Sequence, residues 1–446
     1  MRPTVYISAA VHSRRLQWTL HVLFERILKV SWQLLPEHTP WPSCGLRISY
    51  GTARVDAHLH IPESGFLRES SIRPFTPDWS KWHSCPILFP LEGPCPFDLF
   101  AAAFFLLSRY EEYLPFQADA FGRFPAAASW AGKQGLLTIP LVDWWADRLR
   151  QLAQARLPRF SWPKVARQWQ PTCDVDMAWA WKHRPWWRML GAMWREAWHG
   201  QLHLWVDRWR TLRGLQPDPF DTFERMEAHF RQAPRQPYFF LHVGPWGCYD
   251  KNIPLRHPAM QQLVQQRLAF AQIGLHPSWQ QGQHAAGIRR EQEALQRVLG
   301  RAIVDSRHHY LRIRLPHTYR QLIAAGIQRD WSMGFADHPG FRAGTAHPFP
   351  WYDLAQEQIT SLEVIPLIAM DVSWKQYLSF SPDQALKHLR TLWDHLKPAG
   401  GLLTTLWHNS SLPPAVGWQE WEIVAFPPWL KQSDHHPTTS SGQCRK

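Results

Sequence analysis

The 446 residues are 45% apolar and only 19% charged, which excludes a disordered chain and is too much for one ordinary core. A formal charge of +13 favours an anionic partner, yet no helix-turn-helix, zinc-finger or RNP pattern accompanies it, so nucleic acid is not expected. The N-terminus lacks a basic patch followed by an apolar run, and the longest apolar run, 99–107, is far short of the ~20 residues that span a bilayer, so a cytoplasmic protein is expected. Six cysteines without a CxxC pair predict neither a disulfide framework nor a structural zinc site.

Residues 1–95 read as a small α/β module. Arg15 to Trp32 carries apolar residues at helical spacing, and Leu46 to Tyr50 alternates like a strand. His58 and His60 lie two apart on what reads as a surface strand, with nothing nearby to complete a metal site. Residues 96–165 read as a connecting helical region: a buried helix from Phe97 to Leu107, then a loop and short strand over Gly135 to Trp145, then a helix from Trp144 to Ala155. From 166 to 431 strands alternate with helices. The strands are Gln170–Asp174, Tyr238–Val243, Phe270–Leu275, Ile303–Arg307, Gln328–Trp331, Glu363–Ala369 and Gly401–Trp407, and seven such units predict closure into a (β/α) barrel. The tail 432–446, rich in Ser, Thr, His and Pro, is expected to be disordered.

In such barrels the site lies at the C-terminal ends of the strands. Asp174 and Asp176 follow the first strand, His276 the third, Arg307, His308 and His309 the fourth, and His408 and Asn409 the last. A carboxylate with two neutral imidazoles is the ligand set of a catalytic divalent ion, and a second carboxylate and a further His can then serve as base and acid. Each residue could equally be a hydrogen-bonded structural one, since 24 His will place a few at strand ends by chance. Coincidence of type and position across four strands favours the site.

Pro171-Thr-Cys-Asp-Val-Asp176, Ile273-Gly-Leu-His276 and Leu402-Leu-Thr-Thr-Leu-Trp-His408 resemble the first, second and last motifs of NodB-type polysaccharide deacetylases, carbohydrate esterase family 4. An uncharacterised bacterial branch of that superfamily is resembled more closely, through Ser108-Arg-Tyr-Glu-Glu-Tyr-Leu-Pro115, Asp218-Pro-Phe-Asp-Thr-Phe223, Ser306-Arg-His-His309 and Gly340-Phe-Arg-Ala-Gly-Thr345. The resemblance implies a distorted (β/α)7 NodB-like barrel behind the small N-terminal α/β module, and metal-assisted removal of an acetyl group from an N-acetylated sugar or glycolipid. It implies Asp174 as general base, Asp176 and His276 as metal ligands, His408 as general acid and Arg342 as the arginine that orients the base. The metal it implies is divalent, zinc first. Arg307 and Asn409 are taken as substrate contacts.

One departure stands out: the second metal histidine, four residues after the first, is Gln280 here. An amide is a poor ligand beside imidazole, and His309 on the next strand is the natural substitute, with His308 pointing away. The missing histidine also admits a rival, a non-catalytic protein that binds glycan or lipid-linked sugar in the same cleft.

Between the first two strands, residues 178–214 hold eight Trp and seven Lys or Arg against Glu196 and Asp207. That mixture suits either a segment lying on an anionic membrane face or a helical cover over the barrel mouth.

Overall fold

The computed structural model describes residues 3–413 and 417–430. The tail expected to be disordered, with Cys444, lies outside the described residues.

The N-terminal residues form a four-stranded parallel sheet of β1 (Thr4–Ala9), β2 (Ser31–Pro36), β3 (Leu46–Tyr50) and β4 (Leu59–Ile61), in the order β2-β1-β3-β4. The helix expected to reach Trp32 runs from Arg14 to Ile27, its last turns π-helical; Lys29 then adopts a left-handed φ of 59° and the chain turns into β2. His60 lies on β4 against the Ser49 hydroxyl, and His58 accepts from the Arg47 backbone N–H, so both serve the sheet. A hairpin of β5 (Trp79–Trp82) and β6 (Cys85–Leu88) follows.

Helix Leu99–Leu107 is buried on every side, and Asp98 caps it by accepting from the Ala101 N–H. The strand expected near residues 135–145 is absent, because Pro140 starts a helix at Leu141 that runs to Arg156. One hydrophobic core runs from β1 through these helices into the large sheet.

That sheet comprises β7 (Arg167–Val175), β8 (Tyr238–His242), β9 (Gln272–His276), β10 (Asp305–Ser306), β11 (Arg329–Met333), β12 (Phe349–Asp353), β13 (Gln358–Pro366), β14 (Ala369–Met370) and β15 (Gly401–His408). Its order is β12-β13-β11-β10-β9-β8-β7-β15-β14, parallel throughout except for β12 against β13. The fold is therefore α/β with a curled sheet of nine strands, not a closed ring of seven. The expected strand Glu363–Ala369 is divided: Pro366, which has no N–H to donate, ends β13 before the chain moves to β14. At the opposite edge the N-terminal helix covers β12. Trp18 donates its indole N–H to the Pro350 carbonyl (2.9 Å), and the buried Arg15 pairs with Glu357 (3.0 Å).

Parallel register levels the strand ends. His408 lies opposite Asp174, and His242 opposite His276. Polar residues far apart in sequence are thereby delivered to one rim.

Candidate active site

Asp176 leaves the end of β7, His276 ends β9, and His309 opens the turn after β10. The Asp176 Oδ1 atom lies 3.1 Å from His276 Nε2 and 3.3 Å from His309 Nδ1, and the two imidazole nitrogens are 3.0 Å apart. The outer nitrogens decide what these atoms are. His276 Nδ1 faces the Arg307 carbonyl oxygen at 2.6 Å and His309 Nε2 faces the Tyr249 carbonyl oxygen at 3.2 Å. A carbonyl only accepts, so each outer nitrogen carries the proton, and in the neutral rings the inner nitrogens are bare.

With both rings neutral, two nitrogen lone pairs and a carboxylate oxygen converge. Such a cluster requires a positive charge. Burial works against a proton on His309, but the Asp176 carboxylate outweighs it and raises the His309 pKa; Asp176, despite its own burial, is held well below the carboxylate range by His309 and His276. A divalent ion would supply the same charge, and donors at ~2.0–2.2 Å from one tetrahedral ion sit roughly 3.3 Å apart, close to the spacing here. The residues therefore fit a metal. Among the described residues no other three His, Cys, Asp or Glu side chains converge in this way.

Two groups flank the cluster. Asp174, buried at the end of β7, takes a 2.9 Å bond from Arg307 Nη1 and lies 3.8 Å from His276 Nε2. Arg307 is fully buried; it also donates to Thr172 Oγ1 and the Trp331 carbonyl, and its guanidinium rests 4.4 Å above the Phe240 ring. Phe240 fits only because position 274 is glycine, where a Cβ would meet the ring at 2.5 Å. On the other flank His408 Nε2 is 3.7 Å from Asp176 Oδ2, and its Nδ1–H donates to Asp371 (2.9 Å), which also accepts the His408 backbone N–H. Burial would lower the His408 pKa, but Asp371, with help from Asp176 and Asp174, raises it to about 10.

Not every expected residue is here. Arg342 pairs with Glu112 (2.6 Å) and the Gly334 carbonyl (2.8 Å), so the arginine on Asp174 is Arg307 instead. Neither expected substrate contact lines the cavity: Arg307 is occupied by Asp174, and the Asn409 amide ties down the Met177 and Phe220 carbonyls. His308 turns away to the Gly282 carbonyl, and burial lowers its pKa to about 4.

The sequence reading missed Asp371 and His242. Asp371 follows β14, too short to show a period. His242, at the end of β8, stacks on His309 (5.4 Å, 16° between planes), and burial lowers its pKa to about 3, so it meets the His309 ring as a neutral group. A histidine closing an apolar strand was the available signal.

The cluster opens into a cavity of about 790 Å³. Phe121 and Arg123 reach it from the region expected only to connect. Arg123 donates to the Tyr310 carbonyl and the Tyr377 hydroxyl, and Phe121 stacks on Tyr310 at 5.2 Å.

Residues 4–158 match DUF7033, a family of unknown function. That match spans both the N-terminal sheet and the helices that follow it. No curated protein matches the chain in sequence. Similar solved structures include a candidate polysaccharide deacetylase from Mycobacterium smegmatis, 19% identical, covering 59% of this chain and 85% of its own at a TM-score of 0.37. A polysaccharide deacetylase from Bacillus cereus is 12% identical and covers 47% of this chain and 79% of its own at a TM-score of 0.26.

Proposed function

We propose that the protein is a metal-dependent deacetylase that hydrolyses the N-acetyl amide of a sugar, in a glycan or a glycolipid precursor. The observation that carries this reading is the convergence of Asp176, His276 and His309 as bare donors between Asp174 and His408 in one cavity. The motif resemblance around Asp174, His276 and His408 supports it independently. In this reading residues 166–431 form the catalytic NodB-like unit, preceded by the 1–95 module and the 96–165 helical region.

The ligands would hold zinc, which supplies Lewis acidity toward the acetyl carbonyl when bound. Asp174, oriented by the Arg307 guanidinium, accepts the proton of the attacking water. His408, held protonated by Asp371, delivers a proton to the departing amine nitrogen. Phe121, Trp181, Tyr310, Tyr377 and Trp418 line the cavity with rings that offer apolar faces to a sugar.

Elemental analysis of wild type beside Asp176→Ala and His309→Ala tests the ligand set. Near-stoichiometric zinc, lost in both variants along with acetate release from N-acetylated oligosaccharides, is expected. Protein that takes up no metal even on reconstitution would replace the hydrolase with a glycan-binding protein.

A further inference from the structure

The segment between β7 and β8 folds into two helices, Trp186–Trp198 and His203–Leu212, joined by a short turn. Trp205 on the second donates its indole N–H to the Met193 carbonyl of the first, and Glu196 pairs with Arg208, so the two form one hairpin. Its inner face reaches the catalytic cavity through Leu204 and Asp207.

The outer face should be polar if it only met water, and it is not. Trp186, Leu190, Trp194 and Trp198 recur every four residues, so that with Trp187 they fall within one arc of roughly 120°. Trp186 is 69% exposed, Trp194 71% and Trp198 78%. On the second helix Leu202, Val206 and Trp209 are exposed on the side opposite Leu204 and Asp207. Patches of this kind on a monomer mark an interaction surface.

Charge identifies the occupant. Residues 182–214 contain seven Lys or Arg and two acids, and one of those acids, Glu196, is already paired with Arg208. A second copy would bring the same cationic surface against this one, which disfavours a homodimer through this face. At the root of the hairpin, Arg184 and Arg188 line a groove of about 450 Å³ with Trp246. Arg184 donates from Nη2 to the Trp179 carbonyl at 3.1 Å, and the Arg188 guanidinium lies over the Trp246 ring with its Nε unpartnered. Guanidinium charge beside a tryptophan-rich face suits phosphate headgroups at the edge of a hydrocarbon layer. Among the described residues no helix is long and apolar enough to cross a membrane, so the hairpin would lie in the interface.

We propose that the outer face of the 186–212 hairpin docks the protein on an anionic membrane surface, with its tryptophans at the headgroup boundary and Arg184 and Arg188 on lipid phosphate. Docking is read without turnover, so it stands or falls separately from the deacetylase reading. Flotation with phosphatidylcholine vesicles, with and without phosphatidylglycerol, tests it.

Wild type is expected to float with the anionic vesicles and to be released by salt. Combined Trp186→Ser, Trp194→Ser and Trp198→Ser should weaken binding roughly tenfold or more while leaving thermal melting unchanged, because these rings pack on little else. Arg184→Gln with Arg188→Gln should remove the preference for anionic over neutral vesicles. Asp176→Ala, which tests the metal site, should float like wild type. Failure of wild type to bind anionic vesicles, or undiminished binding by the tryptophan variant, would overturn the proposal. So would light scattering that shows a wild-type dimer and a monomeric tryptophan variant, which would make the face a protein interface.

Discussion

The two walls of the Asp176, His276 and His309 cluster are built by opposite means. On one, the proposed working group is a carboxylate, Asp174, and the fixed partner is a buried cation, Arg307, braced by Phe240, Thr172 and Trp331. On the other, the proposed working group is an imidazole, His408, and the fixed partner is a buried carboxylate, Asp371. Each partner is an opposite charge held in place by the sheet, and in the proposed reaction the carboxylate would face the imidazole across the Asp176, His276 and His309 cluster.

The largest expected effect comes from removing either working group. Asp174→Asn and His408→Ala should each lower kcat for acetate release roughly 10²–10⁴-fold while retaining bound metal. A variant of this kind that kept its rate would show that its wall takes no part in proton transfer.

Arg342→Met sharpens the contrast from outside both walls. It strands the buried Glu112, whose carboxyl is held low against burial by Arg342 and Arg109, and should cost about 3–5 kcal/mol in urea unfolding without changing metal content. Loss of metal with an unaltered unfolding midpoint would return Arg342 to the site.

Asp371→Asn is the smaller test. As a partner acting through His408, Asp371 should be worth roughly 10–100-fold in kcat, and the alkaline limb of the profile should move toward lower pH. Linkage in the metal-free protein gives an independent readout. The His408 pKa is raised from 6.5 to about 10, so the folded state binds its proton more tightly than the unfolded chain. The stabilisation is complete below pH 6.5 and is lost as pH rises through about 10. Urea midpoints of chelator-treated wild type should therefore lie above those of the variant near pH 6.5 and converge with them at the alkaline end.

What the sequence disclosed follows physical lines. Asp174, Asp176, His276 and His408 were legible because each closes an apolar run long enough to read as a strand, and parallel register does the rest. His309 was found by the same logic for a different reason. Its strand ends at Ser306, and the ring is aimed by a turn in which Tyr310 takes φ 60°. Asp371 was illegible because two residues show no alternation. Arg342 was misplaced because its partner, Glu112, lies 230 residues earlier, a contact that no local pattern encodes. The closed barrel was an extrapolation from counting units; Pro366 and the antiparallel β12 are what alter the count.

Arg123 carries a consequence of its own. Its guanidinium is fixed from within its own loop by Asp119, yet it also holds the Tyr310 carbonyl and the Tyr377 hydroxyl, and both tyrosines line the chamber. A truncation at residue 166 would keep Asp174, His408 and the three clustered residues but discard part of the chamber's wall. Under the proposed function, reactivity and selectivity would be housed in different stretches of the chain: the large sheet carries the proton-transfer groups, while Phe121 and Arg123, within the stretch that matches DUF7033, would shape what is admitted.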